Sequence, residues 1–149
     1  MNKPIILIIA REYPIKHRDI LIQSMTPNEF TVNFIVWNRS NEEPNTEVEV
    51  HVFERYIQRL RSINFFKSIK EFIQYIDQKI LEQKPERIII SHYTLYIPFL
   101  IYSKSNYKRS NIVLDVHDLP SFKYNILSRF VLYLEKLIIR KVKNVIIAS

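Results

Sequence analysis

Residues 111–120 read NIVLDVHDLP, and this stretch decides the predicted fold. Its first six residues form an apolar pattern typical of a strand, and His117 and Asp118 follow directly. A helix pattern then runs from Asn125 to about Val142, and a second strand pattern covers Asn144–Ser149. Strand, helix and strand at this spacing predict a parallel crossover unit.

The rest of the chain repeats this alternation. Further strand patterns cover Pro4–Ala10, Thr31–Trp37, Val48–Val52 and Arg87–Ser91. Further helix patterns cover His17–Met25, Ser62–Lys84 and Thr94–Ser105. This order predicts a single α/β domain over residues 1–149. We expect a Rossmann-like parallel sheet of about six strands, in the order 3-2-1-4-5-6, with helices on both faces.

Glycine and cysteine are both absent from the 149 residues. Without cysteine, the chain has no disulfide framework, thiolate nucleophile or cysteine-based zinc site. Without glycine, it has neither a Walker A loop nor a GxGxxG turn, because both need backbone without a Cβ next to phosphate. Backbone positions with positive φ are expected to fall to Asn or Asp, which tolerate that conformation best after glycine.

The formal net charge is +7, and three kinds of partner fit it: nucleic acid, an anionic membrane surface, or a phosphate-bearing ligand. Nucleic-acid binding needs aromatic side chains that stack beside cations. Phe65 and Phe66 lie among basic residues, but this patch is too weakly patterned to favour nucleic acid. We interpret most of it as core with a solvated rim.

Five polar residues follow strands whose carboxyl ends line the ligand crevice of this fold. Tyr13 and Arg18 come after the first strand, His92 after the fourth, and His117 and Asp118 after the fifth. Histidine acts as an acid, a base or a hydroxyl-orienting group near neutral pH, and arginine binds phosphate or carboxylate. The alternative for each is an ordinary hydrogen-bonded loop residue. The histidines lack metal-site spacing, so no metal is expected.

Two further polar residues have structural interpretations. His51 alternates with valines on a predicted half-buried edge strand, so we expect it to face solvent. Asp115 lies at a strand end, where we expect it to satisfy nearby backbone donors.

These segments resemble the amino-terminal domain of GT-B glycosyltransferases, the retaining, sugar-nucleotide-dependent group called family 4. Tyr13–Pro14 after the first strand is similar to that family's proline-bearing loop, and His17–Arg18 to the start of its first helix. Val113–Leu119 is similar to its fifth-strand segment, whose histidine faces the interdomain cleft. Glu135–Ser149 resembles its closing pattern of glutamate, basic helix, apolar strand and serine.

The resemblance implies the acceptor-binding half of a hexosyltransferase-type enzyme that moves a sugar from a nucleotide-sugar to a cell-surface polysaccharide or lipid-linked acceptor. It implies no resident cofactor, because the nucleotide-sugar is a co-substrate bound mainly by a carboxyl-terminal domain that the 149 residues do not include. That domain is an expected partner, and this part alone is expected to be inactive. His117 would act at the reacting sugar, with Asp118 fixing its tautomer. The expected location is cytoplasmic, peripheral at the inner face of the membrane.

Two departures from the family pattern stand out. The first loop lacks the family's glycine pair, and Asn144 stands where aspartate is common. The alternative function is a non-catalytic, flavodoxin-like α/β module for ligand binding or interaction. A receiver domain is a weaker variant of it, since only Glu12 offers a carboxylate directly after the first strand.

Overall fold

The computed structural model describes residues 3–10, 29–38, 50–55, 63–105, 107, 111–116, 133 and 144–147. Within them the chain forms six strands and two helices of ten or more residues. The strands are β1 (Ile5–Ala10), β2 (Thr31–Asn38), β3 (Val50–Glu54), β4 (Arg87–Ser91), β5 (Ile112–Val116) and β6 (Asn144–Ile147). The helices are α1 (Ile63–Gln83) and α2 (Tyr93–Tyr102).

The six strands form one sheet in the order β3-β2-β1-β4-β5-β6, and every neighbouring pair is parallel. This confirms the predicted Rossmann-like α/β fold and its strand order. β3 lies at one edge, as predicted, and continues to Glu54, two residues past the predicted end. Because all strands run the same way, their carboxyl ends share one edge of the sheet, the carboxyl edge, and their amino ends share the opposite edge, the amino edge.

Both faces of the sheet are apolar. The first face includes Leu7, Ile9, Ile35, Trp37, Ile88, Ile90, Ile112, Leu114 and Val116, all buried together with side chains of α1 and α2. The second face includes Ile8, Ala10, Val32, Phe34 and Val36, also buried. Burial on both sides explains why these strands read as continuous apolar runs.

The two described helices pack on the first face. The predicted helices at His17–Met25 and Asn125–Val142 lie outside the described residues. Neither described helix combines the length and apolar character that crossing a bilayer requires.

An aromatic cluster joins α1 to the β2–β3 side of the sheet. Trp37 is 1% exposed, and its ring stacks on Phe65 at 6.0 Å between centroids. Phe72 and Phe53 pack on the same indole at 5.3 and 5.9 Å. The indole N–H donates to the Arg55 carbonyl at 3.1 Å, so the buried polar group is satisfied.

Among the residues that the structure describes, two adopt positive φ, and the expectation of Asn or Asp is wrong for both. They are Lys84, with φ of 48°, and His92, with φ of 86°. Lys84 follows the last residue of α1, and its N–H donates to the Ile80 carbonyl at 2.9 Å. A left-handed residue commonly closes a helix in this way. Because the chain has no glycine, other residues adopt positive φ where the fold requires it.

α2 covers ten residues and ends three residues before the predicted Ser105. Pro98 is its sixth residue, not in the first turn, so it lacks the N–H that would reach the Thr94 carbonyl. After the helix, the Ser103 hydroxyl and the Lys104 N–H donate to the two oxygens of Asp77 at 2.5 and 2.7 Å. These bonds to α1 favour an extended exit over another helical turn.

Candidate functional site

β4 and β5 leave the sheet side by side at the carboxyl edge. Ser91, the last residue of β4, pairs in register with Asp115 of β5. The next residue, His92, donates its N–H to the Asp115 carbonyl at 2.7 Å. β5 ends at Val116, directly before His117 in the sequence. The structure therefore places His92 at the carboxyl edge, as the sequence predicts.

His92 caps the amino end of α2. Its Nδ1 accepts from the Thr94 N–H at 3.2 Å and lies 2.8 Å from the Thr94 hydroxyl. Its carbonyl accepts from the N–H groups of Leu95 and Tyr96 at 3.2 and 3.3 Å. A short polar side chain normally caps the amino end of a helix in this way, whereas here the capping group is an imidazole. Because Nδ1 accepts from a backbone N–H, the neutral ring carries its proton on Nε2 and presents that atom as a donor.

The backbone of His92 has a conformation suited to glycine, with φ of 86° and ψ of 137°. A side chain in such a conformation costs about 1–3 kcal/mol, and residues of this kind cluster at functional sites. The bonds to Asp115 and Thr94 hold His92 in place despite this strain. The strained backbone therefore makes His92 a candidate functional residue.

Polar side chains interrupt the apolar second face at this edge. Asp115 and Asn38 are 2% and 3% exposed. The Ser91 Oγ is buried and, within the described part of the chain, has no hydrogen-bond partner. Strand alternation puts Ser91 and Asp115 on the same face as Ile89, since Ile88 and Ile90 belong to the first face. Burial of the Ser91 hydroxyl without a hydrogen bond to a described residue is unfavourable.

The other four predicted site residues, Tyr13, Arg18, His117 and Asp118, lie outside the described residues. The structure does confirm that β1, β4 and β5, the strands that precede all five site residues, are neighbours in the sheet. No group of three or more potential metal ligands occurs among the residues that the structure describes.

A second polar cluster, at the amino edge, was missed by the sequence analysis. Asn33 Nδ2 donates to Gln83 Oε1 at 3.1 Å, and Gln83 Nε2 lies 2.5 Å from His51 Nε2. The expectation that His51 faces solvent is wrong. Val50 and Val52 turn to the second face, so His51 turns to the first, where the end of α1 covers it.

No protein-family model matches the chain, and a search of curated proteins finds no match. Function is therefore inferred from the sheet, its carboxyl edge and the sequence resemblance.

Proposed function

We propose that the chain is the acceptor-binding, amino-terminal domain of a GT-B glycosyltransferase. The whole enzyme would transfer a sugar from a nucleotide-sugar to a polysaccharide or lipid-linked acceptor. The observation that carries the proposal is the strained, hydrogen-bonded His92 at the carboxyl edge of a parallel sheet. The sequence resemblance supports the choice of reaction.

The sheet topology supports a ligand site at this position. Successive strands run from β1 to β2 and β3 on one side, and from β4 to β5 and β6 on the other. The order therefore reverses between β1 and β4, and open α/β sheets bind ligands outside the carboxyl ends at such a point. His92 follows β4 directly, which puts it beside this crevice.

The site residues have distinct proposed roles. His92 donates from Nε2 to an oxygen of the bound sugar or phosphate, because its Nδ1 is occupied by Thr94. His117 acts at the reacting sugar with its ring oriented by Asp118, and Tyr13 and Arg18 border the crevice; these roles come from the resemblance.

The proposal requires a second domain for most of the nucleotide contacts. The chain has no glycine, so no loop of the usual kind lets its backbone approach a pyrophosphate closely.

In the transfer, the acceptor oxygen bonds to the anomeric carbon, and the bond from that carbon to phosphate breaks. The nucleoside diphosphate leaves, and the acceptor proton is lost to solvent. The proposed location is the cytoplasmic face of the membrane, where lipid-linked acceptors are accessible.

The alternative is a non-catalytic α/β module that binds a ligand or a partner. The observed strand order differs from the 2-1-3-4-5 order of flavodoxin-like folds, which favours the glycosyltransferase proposal over that form of the alternative.

The first test is calorimetric titration of the chain with soluble oligosaccharide acceptors and with free nucleotides. We expect acceptor binding that His92→Gln weakens and that the control His51→Gln, at the amino edge, leaves unchanged. Tight binding of nucleotide by the chain alone, without acceptor binding, would favour the alternative.

The second test is sugar transfer by a protein that contains both this chain and a donor domain. We expect His117→Ala to reduce turnover strongly, since a positioned donor that stabilises developing charge at the reacting group contributes about 10²–10³-fold. Turnover within about twofold of the parent would remove His117 from the mechanism.

A further inference from the structure

The outer surface of α1 carries an exposed aromatic side chain beside two lysines. Phe66 is 61% exposed, and Lys67 and Lys70 are exposed on the same side of the helix. These three residues are called the α1 patch. Phe66 also contacts Phe65 edge-on at 5.8 Å, and Phe65 stacks on Trp37, so the exposed ring is connected to the buried aromatic cluster.

The α1 patch lies at the carboxyl edge of the sheet. α1 connects β3 to β4, so it runs antiparallel to the strands and begins where they end. Two contacts confirm this direction. Phe65 packs on Trp37 near the carboxyl end of β2, and Gln83 bonds Asn33 near its amino end. The patch therefore shares an edge with His92.

The charges of α1 leave this end positive. Each acidic side chain of the helix already has a partner: Glu71 pairs with Arg55, Asp77 binds Ser103 and Lys104, and Glu82 pairs with Lys79. Lys67 and Lys70, by contrast, form no ion pair with any described residue. The positive charge of the patch is therefore not neutralised by this helix.

The helix dipole adds to this positive charge. The first turn of α1 contains no acidic residue. The amino end of a helix carries a partial positive charge, so nearby lysines are unfavourable there without an anion. The phenylalanine next to them exposes apolar surface to water, and burial of that surface would be favourable. An anionic surface with an apolar interior compensates all three features at once.

We propose that the α1 patch docks the protein onto an anionic lipid bilayer. Phe66 enters the headgroup region, and Lys67 and Lys70 bind lipid phosphates. The inference of a membrane partner stands on the patch itself. Its consequence, that docking turns the His92 edge toward a lipid-linked acceptor, rests on the proposed function.

The test is co-sedimentation of the chain with vesicles of phosphatidylcholine, with or without phosphatidylglycerol. We expect binding only to the anionic vesicles, weakened by added salt. Each lysine near an anionic surface contributes about fivefold to partitioning, so Lys67→Gln/Lys70→Gln should reduce binding roughly 25-fold. Phe66→Ser should also reduce vesicle binding. This reduction should depend less on salt concentration than the reduction caused by replacing the two lysines.

Matched controls lie at the opposite end of α1 and beyond α2. Lys84→Gln/Lys104→Gln removes the same charge from exposed positions, and Leu81→Ser removes an apolar side chain that is 70% exposed. Both should leave vesicle binding within about twofold of the parent. Far-ultraviolet circular dichroism checks that each variant folds.

Three outcomes would overturn the proposal. They are absence of binding to anionic vesicles at low salt, equal loss in the control and patch variants, and binding of a DNA duplex that displaces the vesicles and depends on the same lysines. Because the assay contains no sugar, its failure is separate from failure of the glycosyltransferase proposal.

Discussion

The two edges of the sheet each contain a half-buried histidine, and they use it differently. At the amino edge, His51 contacts Gln83, which in turn bonds Asn33, so side chains of α1, β2 and β3 are joined to one another. At the carboxyl edge, His92 bonds the backbone of its own helix and of β5 in a strained conformation.

Two further side-chain hydrogen bonds at the amino edge are made to backbone carbonyls. The Tyr107 hydroxyl donates to the Pro85 carbonyl at 2.9 Å, and Asn111 Nδ2 donates to the Glu86 carbonyl at 3.1 Å. These contacts tie the loop before β4 to the segment before β5. The comparison teaches that the edge, rather than the residue type, separates a structural histidine from a candidate ligand-binding one.

The largest expected effect separates strain from function at His92. His92→Gly removes the imidazole and the unfavourable side chain together, whereas His92→Ala removes the imidazole and keeps the strain. Both should lose a hydrogen bond to the ligand worth about 1.5–3 kcal/mol, or roughly tenfold to a hundredfold in acceptor affinity. In urea unfolding, the glycine variant should be about 1 kcal/mol more stable than the alanine variant.

Equal stability of these two variants would show that the conformation of His92 costs little. Unchanged acceptor affinity in both would remove the ligand-binding role from the carboxyl-edge histidine. Calorimetric titration and urea unfolding of the same preparations provide the two measurements.

The next largest effect should appear at the amino edge and in stability alone. Gln83→Ala leaves the Asn33 amide and the His51 ring without their shared partner, and Asn33 is only 7% exposed. Leaving such groups unsatisfied costs about 1–3 kcal/mol, measured as a lower free energy of unfolding in urea. Gln78→Ala, on the exposed surface of the same helix, is the matched control. A loss of acceptor affinity in Gln83→Ala at full stability would contradict the division between the edges.

The fold could be predicted because its strongest signals are local. The buried runs of β1, β2 and β4 and the periodicity of α1 each lie within one segment, and right-handed crossovers then limit the order of strands. Boundaries were less accurate where tertiary contacts decide them. α2 ends early because Ser103 and Lys104 turn to Asp77, which lies 26 and 27 residues away in sequence.

The candidate site could be predicted only in position. Strand order placed His92 at the carboxyl edge, but its capping of α2 depends on a positive φ that no local pattern indicates. His51 was assigned wrongly because alternation shows which face a residue occupies, not whether a helix covers that face. The same limit hid the link from Asn33 to Gln83, residues separated by 50 positions.

The smallest predicted effect lies between the two edges, on the part of α1 that packs against β3. Burial raises the pKa of the Tyr75 hydroxyl, whose ring lies 5.6 Å from Phe53, and this outweighs the opposing effect of the Lys79 ammonium. Because the folded-state pKa is raised, its contribution to stability is complete below the ordinary tyrosine value of about 10 and is lost as pH rises through the folded value. The free energy of unfolding should therefore fall more steeply between about pH 8 and pH 11 in the parent than in Tyr75→Phe.

The control for this pH dependence is Tyr133→Phe, since Tyr133 is 59% exposed. It should reproduce the alkaline slope of the parent in urea unfolding. Identical slopes for the parent and Tyr75→Phe would mean that the α1–β3 contact opens to water before the hydroxyl ionises. In that event the Tyr75 ring would separate from Phe53, and because Phe53 also packs on Trp37 and Phe72, the loss of packing would extend into the aromatic cluster.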